Sequence, residues 1–182
     1  MRRYVRDVPQ VGWDRRCSAK KGGMCETCNV ACHYHRSSGN AIGKRGSPGP
    51  TFDGTPTADT FVGTQGADDI RGRGADDTLS GAGGRDRVRG DGGNDRLSGD
   101  AGVDEVRGNL GNDEMLGGDG ADLIRADEGG TDTVNAGSGD DVIDAHDDPG
   151  IDTIDCGDGI DTVDFDAGVD VVADNCETRD PH

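Results

Sequence analysis

Apolar side chains are scarce in this chain of 182 residues: 30% are hydrophobic and 3% aromatic, with one Trp, two Tyr and three Phe. A globular domain usually carries nearer half apolar residues, so no ordinary core can be assembled from this composition. No run approaches the roughly 18 apolar residues of a membrane-spanning helix, which leaves no membrane span to expect. The start, MRRYVRDVPQVGWDRRC, has the basic residues of a signal peptide without its apolar centre, so no cleavable export signal is legible. Neither the HExxH of zinc proteases nor the GxSxG of serine hydrolases is present, and an enzyme is not expected. Of four histidines, His33, His35 and His146 have no acid or nucleophile at an interpretable spacing and His182 is terminal. They read as incidental.

Positive charge is also lacking over most of the length. The formal net charge of −18 divides sharply. Residues 1–50 hold ten Lys or Arg against three Asp or Glu, a net of +7, and the remainder holds nine against thirty-four, a net of −25. A block this acidic repels nucleic acid and anionic membranes and suits hard cations that prefer oxygen ligands.

What is present is a period of nine, held thirteen times between Gly54 and Ala173. Units start at Gly54, Gly63, Gly72, Gly81, Gly90, Gly99, Gly108 and Gly117 without a gap, then at Asp127, Ala136, Asp147, Cys156 and Phe165. Ala126 and the pair Ala145-His146 stand between units as insertions. Position six is always aspartate and position eight always apolar, while position four is glycine except at Thr57 and Ala75. Disorder, the blandest reading of an acidic and apolar-poor chain, does not explain a fixed period.

Each unit divides into a glycine-rich hexapeptide, which must turn, and a three-residue segment such as Asp69-Ile70-Arg71 that reads as a minimal strand. Two units make one flattened coil of about eighteen residues, and stacked coils form a β-solenoid. The unit Gly90 to Ser98, GDGGNDRLS, resembles the RTX nonapeptide GGxGxDxUx, a pattern tied to calcium-binding parallel β-helices. The resemblance covers about two-thirds of the chain. It implies an all-β fold, a right-handed parallel β-roll of about thirteen repeats over residues 54–173, with calcium held between its turns. RTX arrays often follow catalytic domains in that family, so a secretion or folding module of a larger enzyme or adhesin is an alternative to a free-standing calcium-binding protein.

Position-six carboxylates two units apart lie on one edge of such a roll, one strand spacing of about 4.8 Å apart. At that spacing they repel by about 1 kcal/mol in water and by about 3–4 kcal/mol at an effective dielectric of 20. A cation between successive turns, bound by both side chains and by turn carbonyls, reverses the sign. The candidate metal ligands are Asp68, Asp77, Asp86, Asp95, Asp104, Asp113, Asp122, Asp132, Asp141, Asp152 and Asp161, with Ca2+ as the ion. The insertions are expected to interrupt the later stacking, so affinity should be highest in the units from Gly63 to Gly117.

Outside the array the signals are thinner. Residues 1–36 show no period and read as a basic, disordered segment. Within it Cys17, Cys25, Cys28, Cys32, His33 and His35 carry enough sulfur and imidazole to hold zinc, but their spacing matches no zinc module. Residues 37–53 read as a Gly/Ser/Pro linker and 174–182 as a cap or tail. Cys156 and Cys176 fall on the same edge of adjacent coils, within the separation that a disulfide allows, and are expected to pair. That bond and the calcium chemistry together suggest an extracellular setting.

Overall fold

The computed structural model describes residues 49–126, 128–146 and 150–182. The N-terminal cysteines and histidines and most of the linker lie outside the described residues.

Two parallel sheets face each other. The first contains β1 (Thr51–Asp53), β3 (Asp69–Arg71), β6 (Arg87–Gly92), β8 (Glu105–Leu110), β10 (Leu123–Arg125), β12 (Val142–Ala145), β14 (Thr162–Phe165) and β16 (Thr178–Pro181), in that spatial order. The second runs β2 (Thr60–Val62), β4 (Thr78–Ser80), β7 (Arg96–Gly102), β9 (Glu114–Asp119), β11 (Thr133–Ser138), β13 (Thr153–Asp155) and β15 (Val171–Val172), with β5 (Gly83–Gly84) pairing with β7. The chain alternates between sheets, so a strand inside either sheet pairs with the strand one coil before and the strand one coil after it. This is the β-solenoid expected from the period. No helix occurs among the described residues, and hence none is long and apolar enough to cross a membrane.

Position eight forms the core. Ile70, Val88, Val106, Ile124, Ile143 and Val163 stack in register along one sheet, and Leu79, Leu97, Met115, Val134 and Ile154 along the other, all at most 1% exposed. Only one large apolar side chain enters per unit because flanking residues of a strand triplet point outward. At the N-terminal end Phe52 and Phe61 stack with ring centroids 4.2 Å apart and close the column. Phe52 belongs to β1, so the roll begins three residues ahead of Gly54, in the stretch read as linker.

The interruptions expected from the insertions do not occur, and the unit boundaries shift. Ala126, Ala136, Ala145 and Cys156 are each fully buried and take the inward-facing first position of their coils. Ala126 donates its N–H to the Asp144 carbonyl at 2.8 Å, and Ala145 pairs in register with Phe165. Ala126 and Ala145 therefore open their units, and the extra residues are counted after them instead of before Asp127 and Asp147. A turn at the edge can lengthen without moving the strands, and the strand pairing continues past both sites.

The C-terminal segment is a cap. β16 adds to the sheet edge at β14, and at the rung where position eight would stand Arg179 pairs with Val163. Arg179 Nε donates to the Cys176 carbonyl at 3.1 Å, so a charged group terminates the apolar column and discourages edge-to-edge association. Cys156 and Cys176 form a disulfide with Cα atoms 5.3 Å apart. Closing a loop of about 20 residues removes roughly 3 kcal/mol of unfolded-chain entropy. Reduction is thus expected to raise the calcium concentration needed to fold the roll, with no such response in the Cys156→Ser, Cys176→Ser double variant. Calcium titrations followed by circular dichroism, with and without reductant, check this; identical midpoints would refute it.

Candidate metal centre

All eleven aspartates singled out from the sequence are buried, none more than 4% exposed. They form two columns, one at each edge of the roll. Asp77, Asp95, Asp113, Asp132 and Asp152 follow one edge, and Asp68, Asp86, Asp104, Asp122, Asp141 and Asp161 the other.

Each carboxylate uses its two oxygens differently. Oδ1 accepts the backbone N–H of the aspartate one coil earlier: Asp77 N–H to Asp95, Asp86 N–H to Asp104, and Asp122 N–H to Asp141, at 2.7–2.8 Å. The ladder passes through both lengthened turns at the same distance, from Asp113 to Asp132 and from Asp132 to Asp152. Glu177 ends one column, its Oε2 accepting from Asp161 N–H at 3.0 Å, a role invisible in the sequence because it falls outside the nonapeptide count.

Oδ2 is another matter. In Asp77, Asp86, Asp95, Asp104, Asp113, Asp122, Asp141 and Asp161 this atom is buried and accepts no hydrogen bond. The reason lies at position two of the unit. Where that residue has ordinary backbone angles, at Thr55, Thr64 and Asp166, its N–H donates to Oδ2 of Asp59, Asp68 and Asp170 at 2.5–2.9 Å. At Arg73, Ala82, Asp91, Asp100 and Asn109 position two is left-handed, with φ of 67–83°, and no such donation is made. The left-handed turn takes the donor away and leaves the oxygen bare.

Position one supplies the space in front of it. A Cβ on Gly99 would lie 2.7 Å from Oδ2 of Asp104 and 2.7 Å from the carbonyl oxygen of Gly117. Glycine there is a matter of room. Gly72, Gly81, Gly90 and Gly117 repeat the arrangement with Asp77, Asp86, Asp95 and Asp122 and a carbonyl of the next coil. Each such space is bounded by one anionic and one neutral oxygen, a donor set without nitrogen or sulfur that matches calcium and excludes soft metals. Of the two outer expectations, Asp68 does not share this environment, since Thr64 occupies both of its oxygens.

Burial of bare carboxylates shows in their acidity. Loss of solvation, with added repulsion from the Asp113 and Asp77 carboxylates, pushes Asp95 up to about 6 despite the Asp77 N–H. Asp104 and Asp141 are raised to about 6 for the same reasons, and Asp77, Asp86, Asp113, Asp122 and Asp161 are raised as well, desolvation leading in each. At these eight aspartates the edges of the roll hold buried carboxylates whose Oδ2 accepts no hydrogen bond.

A second ladder escapes the sequence reading. Position-five side chains accept from the backbone of the next coil, Asp76 from Asn94 N–H, Asn94 from Asn112 N–H and Asn112 from Thr131 N–H, at 2.8–2.9 Å. The enrichment of Asp and Asn at that position was the available signal. These bonds join neighbouring coils without any metal.

Comparison with known proteins agrees with the geometry. The sequence model of one family, the RTX calcium-binding nonapeptide repeat (4 copies), matches residues 53–88, 89–124 and 127–148, more than half of the chain. Neither the curated proteins nor the solved structures gave a match. With a repeated aspartate turn, stacked parallel coils and this match, the chain belongs to the RTX calcium-binding nonapeptide repeat family.

Proposed function

We propose that the roll binds calcium ions between successive coils at both edges, folds on binding them, and works in the calcium-rich extracellular space. The observation that carries the reading is the row of buried aspartate Oδ2 atoms without donors, five of which, in Asp77, Asp86, Asp95, Asp104 and Asp122, face a carbonyl of the next coil across the space that a glycine leaves. Asp77, Asp86, Asp95, Asp104 and Asp122 would hold the ions together with the position-one carbonyls of the following coils, and Asp113, beside Gly108, would add its bare Oδ2. Bound calcium would supply the positive charge that the ladders lack. Binding and ordering are coupled because the ligands converge only when the coils stack. The Cys156–Cys176 disulfide supports an oxidising compartment. The function is that of a binding and folding element; no residue is assigned a catalytic role.

Affinity should be uneven for a reason the sequence count missed. In the units of Asp132, Asp141 and Asp152 the first position carries the Cβ of Ala126, Ala136 or Ala145, which occupies the space left open at Gly90 or Gly99. Asp170 has both oxygens taken, by Asp152 N–H and Asp166 N–H. Asp95→Ala is expected to remove at least about one equivalent of bound calcium and Asp170→Ala none, as read by calorimetric titration of the full chain. Equal losses would refute the assignment.

A further inference from the structure

At the C-terminal end the outward column at position nine changes sign. Along the first sheet Arg71, Arg89, Arg107 and Arg125 stand in register, and the next rungs are Asp144, Asp164 and Asp180. Asp144 and Asp164 are register partners on adjacent strands, so two carboxylates face the same way one strand spacing apart, an arrangement that is unfavourable without a cation. Arg125 precedes Asp144 in this column.

His146 belongs to the lengthened turn after Ala145. Its Nδ1 lies 2.9 Å from Asp144 Oδ1 and 3.6 Å from Asp164 Oδ2. His182 comes from the cap: its Nε2 lies 3.0 Å from Asp164 Oδ1, and its ring centroid is 5.1 Å from that of His146. Both backbone groups of His182 are fixed, its N–H to the Phe165 carbonyl and its carbonyl to the Ala167 N–H, each at 3.0 Å. Ligand atoms of Asp144, His146 and Asp164 all fall within 4.8 Å of one another. The side chains are half-buried and reachable from solvent.

We propose that Asp144, His146, Asp164 and His182 form a second metal site, chemically distinct from the calcium ladders, that takes Zn2+ or a similar imidazole-binding divalent ion. Two imidazole nitrogens and two carboxylate oxygens are the ligand types and the number that tetrahedral zinc uses, with bonds of about 2.0–2.2 Å. Calcium is disfavoured because it selects oxygen ligands in larger number. The bound ion replaces the proton that His146 Nδ1 shares with Asp144, and it neutralises the Asp144–Asp164 repulsion. It ties the strand β12, the strand β14 and the residue following β16, three consecutive coils, at the end of the roll that the disulfide also closes. The two histidines set aside in the sequence as incidental are brought together only by the longer turn and the cap.

The test uses the full chain in millimolar calcium, so that the roll is folded, with free thiols alkylated so that Cys17, Cys25, Cys28 and Cys32 cannot compete. Zinc chloride is titrated by calorimetry, and histidine ring signals are followed by NMR. One zinc equivalent is expected, shifting His146 and His182 while calcium remains bound. His146→Ala and His182→Ala should each weaken zinc by at least about tenfold, since loss of a ligand exceeds the effect of losing an outer-shell partner. Their circular dichroism in calcium should match the parent chain, which separates loss of the site from loss of the fold. Absence of zinc binding, unchanged zinc affinity in both variants, or zinc that binds only by displacing calcium would each overturn the proposal.

Discussion

Chelating calcium from the protein at neutral pH is expected to abolish its β-sheet circular dichroism, and returning the ion to roughly 0.1–1 mM, the range of extracellular calcium modules, to restore it. The expectation rests on what stacking does to the two aspartate columns. Folding moves eleven carboxylates to sites no more than 4% exposed, and at least eight of them keep an oxygen with no donor. Removing an ionised carboxylate from water without a partner is among the most unfavourable steps available to a folding chain. The apolar core cannot compensate, because each coil of about eighteen residues contributes only two large inward side chains. Hydrogen bonds along the Oδ1 ladder and the position-five ladder are formed only after the coils have stacked, so they do not assist the unstacked chain. A full β signal in excess chelator at pH 7.5 would show that the carboxylates are tolerated bare, and would remove the basis for ion-dependent folding.

Protons should act as a substitute for calcium. Asp95, Asp104 and Asp141 hold their protons up to about pH 6 in the folded roll, against about 3.9 in an unfolded chain. A carboxyl whose acidity is weakened by folding is bound to its proton more tightly in the folded state. Its contribution to stability is complete below the unfolded value and is lost as pH rises through the folded one. Chelated protein that is unfolded at pH 7.5 is therefore expected to gain β structure as pH falls below about 6, with roughly half of the stabilising effect of the protons in place by about pH 5. Glu105 and Asp53, whose acidity is strengthened by hydrogen bonds from Arg87 and Arg73, and Asp100, where desolvation is outweighed by hydrogen bonds from Ser80, Ser98 and the Ala82 N–H, work in the opposite sense only at lower pH, and they are three groups against eight. Measurement at pH 5 stays above the sequence pI of about 4.3, where precipitation would obscure the signal. Over the same window the calcium midpoint should move to higher concentration, because ion and proton compete for one oxygen. A chelated chain that stays unstructured from pH 7.5 to 5 would contradict the burial of these groups.

Periodicity in the sequence determined the architecture. Thirteen aspartates at position six and thirteen apolar residues at position eight permit two faces, two edges and one inward residue per strand, and the structure has that form. The identity of the buried aspartates followed from the same count, since a residue repeated in register must occupy equivalent places in every coil. The pairing of Cys156 with Cys176 was legible for the same reason.

Tertiary structure decided what a count of nine cannot express. It assigned Ala126 and Ala145 to buried first positions, because a residue's place is set by the strand it continues and an edge turn can absorb the surplus. It separated Asp95 from Asp170, two residues identical in the repeat, by the left-handed backbone at Asp91 that withdraws a donor and the ordinary backbone at Asp166 that supplies one. It made Glu177 the last rung of a ladder and Arg179 the lid of the core, neither in phase with the repeat. His146 and His182, thirty-six positions apart, met through the stacking of three coils. In each case the deciding quantity is a distance across coils, which local sequence pattern determines only while the period holds.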